Sequence, residues 1–375
     1  MTTYVELHCH SNFSFHDGAS SIEELLLQAR ELGYPALALT DHDNLCGAMR
    51  FAQMAPSWGV LPIVGAEVTI EGGYHLTLLA ENAQGYHNLC RMLSYAYVSN
   101  PRDEPRLAPA LLVEHAQGLI ALSGCARGEV PSLLVAGRWD EARAAARRYR
   151  EWFGDDFYLE LQQNLCYGDR ERIRRLAALG RELGIPAVAT NNVHYHVRER
   201  HQLQDVLVAI KHCKTLEETH RERRPNSEFY LKSHQEMAAL FAELPEAIAN
   251  TIRIAESCTF DLTRDLEYQF PDSPVPPGHT PDTYLEHLCY EGARRRYGEV
   301  TPKCRARLQE ELHLIRKHKL SGFFLIYHEI LKVAREVAIE LGVCDPKRRL
   351  EEDPPGRSRG SSVSLLVGYL IGLSH

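Results

Sequence analysis

Residues 4–11 read Tyr4-Val5-Glu6-Leu7-His8-Cys9-His10-Ser11. The run Tyr4–His8 reads as a short strand, and side chains two apart on a strand project to the same face. His8 and His10 therefore reach one metal ion together if the extended path continues to His10. A lone His-x-His is equally consistent with two surface histidines in a loop. The remainder of the chain decides between these readings.

Working outward, strand-then-helix units follow one another. Ser21-Ile22-Glu23-Glu24 has the form of a capping box, and Ile22, Leu25, Leu26, Ala29 and Leu32 give one apolar helix face that stops at Gly33. Ala36–Thr40, Leu61–Glu67, Tyr74–Ala80, Gly118–Ser123, Phe157–Leu161 and Pro186–Thr190 read as further strands, with Gly72-Gly73 closing a hairpin between the third and fourth. A basic helix precedes Phe157, and another spans Arg170–Leu183. Alternating strands and helices predict a mostly parallel α/β sheet, and about seven units predict a closed barrel.

On this reading, residues suited to metals recur where strands end. His8 and His10 end the first strand, His42 follows the second, Glu67 ends the third, Cys125 follows the Gly118–Ser123 strand, and Asn192 and His194 follow the last. Asp17 and His75 lie nearby in sequence, His75 near the start of a strand that reaches the same mouth if it runs antiparallel. Parallel barrels place their sites at the carboxyl ends of strands. One metal uses three or four protein ligands, so the eight histidine, carboxylate and thiol positions imply a cluster. Two ions ~3.5–4 Å apart clamp the attacking and leaving oxygens of an in-line displacement at phosphorus, with metal-bound water as nucleophile and no protein nucleophile. Glu67 is the candidate bridging carboxylate. Cys125 favours zinc, whereas the histidine and carboxylate positions admit manganese or iron.

Composition bounds the alternatives. The chain has 375 residues, is 44% hydrophobic and carries a net charge of -8. Residues 291–375 hold 16 Lys/Arg against 11 Asp/Glu, an excess of +5, which leaves -13 for residues 1–290. The acidic part suits cations, and the basic part suits phosphates or is a solvated set of helix faces. No apolar run spans a bilayer, and the start lacks a secretory pattern. The ten cysteines show no framework spacing, so a cytoplasmic protein with reduced thiols and no membrane partner is expected. Eight histidines without strand-end partners, His16, His87, His115, His196, His201, His212, His220 and His234, read as surface or helix residues.

Beyond His194 the pattern turns helical, over His201–Lys211, Ser233–Leu244 and Pro245–Cys258. The stretch from Phe270 to Gly278 is dense in proline and reads as a linker. Helices follow over Thr283–Tyr297, Lys303–His318 and Gly322–Leu341. A charged, proline-rich loop over Pro346–Arg359 and an apolar core helix within Val363–Leu373 complete the chain.

Several of these motifs together carry a family resemblance: His8-x-His10-Ser11, Asp17-Gly18, Thr40-Asp41-His42, Gly65-Ala66-Glu67, His75-Leu76, Ser123-Gly124-Cys125 and Thr190-Asn191-Asn192-Val193-His194-Tyr195. They resemble the motifs of PHP domains (polymerase and histidinol phosphatase). More closely, they resemble the PHP domain of the bacterial DNA polymerase III alpha subunit. His75–Asn82, Gly85–Arg91, Pro225-Asn226 and Phe260-Asp261-Leu262 point to its error-prone, damage-tolerant branch. The resemblance implies a distorted seven-stranded (β/α) PHP barrel over residues 1–270 and a mostly helical segment over 271–375, similar to the start of the polymerase palm. It implies two or three divalent metals (zinc, manganese or iron): one on His8, His10, Glu67 and position 192, one on Glu67, His75 and Cys125, one on Asp17, His42 and His194. Asn192 departs from the pattern, standing where the family's best metal-binding members carry Asp.

The expected function is phosphoester hydrolysis, 3′–5′ exonuclease-like, on a DNA single strand or primer terminus, beside other replication or repair polymerase subunits. One alternative is a catalytically weak or inactive, metal-stapled docking module. Another is a histidinol-phosphatase-like small-molecule phosphatase, against which the polymerase-like segment argues. Ser358-Arg359-Gly360-Ser361-Ser362 resembles a nucleotide-contacting Gly-Arg-Gly-Ser motif. Residues 291–375 contain no Asp-x-Asp to hold catalytic magnesium, so no polymerase activity is expected from this polypeptide alone.

Overall fold

The computed structural model describes residues 3–101, 104–266, 273–350, 352 and 364–374. They fall into two units, residues 1–266 and 267–375.

The first unit is built on one sheet in the order β1 (Ala36–Leu39), β2 (Leu61–Ile70), β3 (Tyr74–Ala80), β4 (Leu119–Leu122), β5 (Phe157–Gln162) and β6 (Ala187–Thr190). Pairs β1–β2, β4–β5 and β5–β6 are parallel, and β3 alone runs against its neighbours. The parallel strands are buried on both faces, which is why they read as unbroken apolar runs. Helices pack outside. In Ile22–Glu31, Ile22, Leu25, Leu26 and Ala29 are buried, and Ser21 and Glu24 form the expected capping box. Each buried Leu or Ile there stabilises by about 1.5–3 kcal/mol, against about 1 kcal/mol for the cap. Packing therefore holds this helix more than its end does.

The described strands number six, not the expected seven. Tyr4–His10 lies where the first was expected, across the seam between β1 and β6, but touches them only through single bridges, Glu6 to Leu37 and Cys9 to Val193. Backbone bonds do cross the seam: Ala38 N–H donates to Glu6 O (2.9 Å), Val193 N–H to His8 O (2.9 Å) and His10 N–H to Val193 O (2.8 Å). A regular ladder is interrupted because side chains take the other backbone groups. Val5 N–H donates to Thr251 Oγ1 (3.2 Å), Cys9 N–H to Thr40 Oγ1 (2.9 Å) and His8 N–H to Glu6 Oε1 (3.0 Å). The Glu6 carboxylate also accepts from Asn191 N–H (3.0 Å) and Tyr4 O–H (2.7 Å). Burial outweighs these donors and pushes its pKa up to about 7. A second difference concerns β2, which runs three residues past Glu67, so Glu67 sits inside the β2–β3 hairpin rather than at a strand end.

The second unit packs helices Pro281–Tyr297, Pro302–Lys317 and Ser321–Glu340 around Leu285, Ala293, Leu308, Leu312, Phe324 and Leu325. The apolar stretch 363–373 contributes a short helix, Leu366–Leu370, which buries Val367 and Leu370. Gly292 lets it approach, since a Cβ there would meet Leu370 O at 2.2 Å. Residues 270–272 of the expected linker, the Ser358–Ser362 motif and most of the proline-rich loop lie outside the described residues.

The seam makes a prediction about stability. Glu6→Ala strands three buried donors, so a loss of about 3 kcal/mol or more is expected. It is measured as a lower urea midpoint at unchanged slope.

Candidate metal centre

Four imidazoles and one carboxylate meet at one end of the barrel. β2 and β3 supply two of these groups: Glu67 faces Thr77 across the hairpin, so His75, two residues back, is its diagonal neighbour on the same face. The isolated bridge between His42 and Glu67 brings in the third, and the seam segment brings His8 and His10. Two glycines shape the surroundings. A Cβ at Gly124, whose φ is +85°, would meet His75 O at 2.2 Å, so only glycine carries the chain from β4 to Cys125. A Cβ at Gly18 would lie 1.8 Å from Ser11 O, and that close approach places Asp17.

Glu67 Oε1 lies 3.0 Å from His75 Nδ1 and 3.4 Å from His8 Nε2; Oε2 lies 3.1 Å from His42 Nε2 and 3.6 Å from His10 Nε2. Burial raises the Glu67 pKa, and His75, His42 and His8 overcome it, holding the carboxyl well below its usual range. Two groups have all ligand atoms within 4.8 Å of one another: His8, His10 and Glu67, and His42, Glu67 and His75. Cys125 Sγ flanks the second, 3.5 Å from His75 Nδ1. Asp17 Oδ2 lies 3.3 Å from His194 Nε2, but their third neighbour is Arg224, whereas His42 is turned to Glu67 and Asp43.

For His8, His10 and His194, the hydrogen bond on the far side of the ring fixes which nitrogen is free. Ser14 Oγ gives its one hydrogen to Asp41 (2.7 Å) and accepts His42 N–H (3.0 Å), so at 3.0 Å from His10 Nδ1 it must accept there too. His10 Nε2 is therefore a bare lone pair. His8 Nδ1 lies 2.6 Å from Glu160 Oε1, an acceptor, which makes Nε2 the free nitrogen. His194 Nδ1 donates to Asn192 O (2.8 Å). Partners of this kind orient metal-ligating imidazoles. Yet His8 Nε2 and His10 Nε2 face each other at 3.2 Å. Two lone pairs at that distance repel unless a cation lies between them.

In the metal-free chain a proton takes that place. Burial disfavours charge on His8, but the Glu160 and Glu67 carboxylates outweigh it and push its pKa up to about 10. His10 goes the other way: burial, then His194, holds its pKa well below the usual histidine range. Buried acceptors here stay unmet. Glu67 Oε1 is aligned with no donor, and buried Asn192 Oδ1 has no hydrogen-bond partner. Unmet buried oxygens beside bare imidazole nitrogens fit a divalent cation. Asn192 holds a left-handed backbone, with φ +48°, and lines the same cavity.

That cavity, about 320 Å³, is lined by Asp17, His42, Glu67, His75, Cys125, Asn192 and His194, and cationic side chains from Arg127, Lys211, Arg223 and Arg224 share its wall. Several of these residues were illegible in the sequence. Glu160 sits inside an apolar strand pattern, and only its even spacing from Gln162 marked one face. Arg224 belongs to an ordinary charged run. His16 and His212, read as surface residues, also line the cavity.

Residues 6–164 match the family described as PHP domain, and residues 283–375 match the family described as bacterial DNA polymerase III alpha NTPase domain. An error-prone DNA polymerase from Symbiobacterium thermophilum is 44% identical over 98% of this chain and 34% of its own length. A DNA polymerase III subunit alpha from Treponema pallidum is 36% identical over 99% of the chain and 32% of its own. An error-prone DNA polymerase from Pseudomonas savastanoi pv. phaseolicola is 36% identical over 99% and 34%. The chain thus spans about a third of the length of these curated relatives. Among solved structures the overlap is loose: an amidohydrolase from Chromobacterium violaceum aligns at TM-score 0.38 and 17% identity, over 51% of this chain and 88% of that one.

The proton on His8 sets the pH response of metal loading. A metal taking Nε2 must displace it below pH 10, so affinity for zinc or manganese is expected to rise with pH, by about tenfold per unit for one displaced proton. Titration calorimetry in two buffers of different ionisation enthalpy counts that proton. Affinity flat from pH 6 to 8 would contradict it.

Proposed function

From a chain that carries a PHP domain and a segment of the bacterial DNA polymerase III alpha family, we propose a metal-dependent phosphoesterase that removes nucleotides from the 3′ end of DNA. The observation that carries this reading is the 3.2 Å approach of two imidazole Nε2 atoms beside an unsatisfied carboxylate oxygen. Bound divalent metals would supply a nucleophile from water near neutral pH and a clamp for phosphoryl oxygens.

The chain's own residues do the rest. His8, His10 and Glu67 would hold one cation; His42, His75 and Glu67, flanked by Cys125, would hold a second, with the Glu67 carboxylate supplying negative charge to both sets. Glu160 and the Ser14–Asp41 pair hold the ring tautomers. Arg127, Lys211 and Arg223 line the cavity and draw in an anionic substrate. No protein nucleophile is needed: burial, with Glu67 nearby, pushes the Cys125 thiol well above its usual pKa, so without a metal it stays protonated. The remaining partners of this reading are a DNA single strand or primer terminus and other polymerase subunits.

One feature supports a second reading, in which the metals staple the barrel and turnover is weak. Asn192 offers a neutral amide where a carboxylate would bind a cation more tightly.

The test uses the purified chain with manganese or zinc, end-labelled single-stranded DNA and a chromogenic phosphate ester. Shortening from the 3′ end, reduced at least a hundredfold by His10→Ala, is expected. No turnover, with the melting temperature falling on chelation, would favour the staple. Asn192→Asp adds a charged ligand and is expected to tighten metal binding at least tenfold and raise turnover with it. Unchanged affinity would remove Asn192 from the ligand set.

A further inference from the structure

We infer that Arg224 is a tethered cation that fills the third ligand set, Asp17 and His194, so that this chain loads two divalent metals and not three. The inference rests on the metal reading of the other two sets. The contrast between the sets carries it. Around Glu67 the carboxylate Oε1 is left without a donor, and His8 Nε2 and His10 Nε2 point at each other rather than at a fixed cation. Around Asp17 they are met. Arg224 Nη2 lies 3.2 Å from Asp17 Oδ1 and 3.4 Å from Oδ2, and the same nitrogen donates to His194 Nε2. Gln204 Nε2 gives Asp17 Oδ1 a further donor at 3.2 Å. His194 Nδ1 is committed to Asn192 O, so Nε2 is an acceptor, and a guanidinium is a donor only.

Arg224 is delivered by an anchored segment. Its guanidinium carbon stacks 4.6 Å from the Phe229 ring centre. Arg223 next to it donates to Asp205 Oδ2 (2.7 Å), and Asn226 Nδ2 donates to Asn164 O (2.8 Å). The head group therefore reaches the pair at small entropic cost. A guanidinium stays charged at all accessible pH, so it balances Asp17 permanently. It has no vacant coordination position, so it cannot bind and acidify a water.

The experiment counts metal atoms per chain by elemental analysis, after loading the full chain with manganese and dialysing. Two are expected for the unmodified chain and for Arg224→Lys, which keeps a cation. Three are expected for Arg224→Ala, and for Arg224→Met, which keeps the stem against Phe229 if the alanine variant folds poorly. Adding Asp17→Asn to Arg224→Ala should return the count to two. Three metals in the unmodified chain, or two in both Arg224→Ala and Arg224→Met, would overturn the inference. No metal at all, with His10→Ala no different, would overturn the metal reading beneath it, and this inference too.

Discussion

The arrangement of the first unit depends on one buried carboxylate surrounded by imidazoles. Glu67 is almost fully buried and within 3.6 Å of nitrogens from four histidines. An isolated carboxylate in such a place would be protonated, and closely packed neutral imidazoles would set lone pair against lone pair. Together they tolerate burial because the carboxylate attracts whatever positive charge the rings share. In the metal-free chain that charge is the proton on His8. The electrostatics of the cluster thus favour positive charge at its centre.

A layer behind the rings orients them. Glu160 accepts from Thr190 Oγ1 (2.5 Å) and Gln162 Nε2 (2.8 Å) as well as facing His8, so its carboxylate is held by two strand residues and the seam histidine at once. Asp41 accepts Ser11 N–H (2.7 Å), Ser11 Oγ–H (2.8 Å) and Ser14 Oγ–H (2.7 Å). The Ser-rich turn after His10 is therefore part of the site: it decides which nitrogen of His10 is bare. Asp41 touches no ring directly and acts through Ser14.

Much of this was legible in the sequence because it depends on short-range periodicity. The strands β1 to β6 and the capping box at Ser21 follow from apolar runs and helix-start residues, and His8, His10, His42, Glu67 and His75 stood out by residue type beside those runs. What escaped depends on long-range pairing. Tyr4–His10 has a strand's composition, but whether it forms a ladder is decided by Thr40, Thr251 and the Glu6 side chain, residues up to 246 positions away. Arg224 comes from a charged run that looks like solvated surface; only the fold shows that one of its arginines points inward. Asp17, His42 and His194 were grouped only by resemblance, and His42 instead reaches Glu67 because the isolated bridge between them places it there.

The seam has one more consequence. His8 and His10 belong to the same stave whose backbone bonds to Val193 hold the cylinder together. Any movement that parts those bonds also carries both imidazoles away from Glu67, so the joint that closes the sheet and the joint that sets the ring positions are the same. The amide hydrogens of His10 and Val193, locked in that joint, therefore report through their exchange with solvent on the placement of both rings as well as on the closure itself.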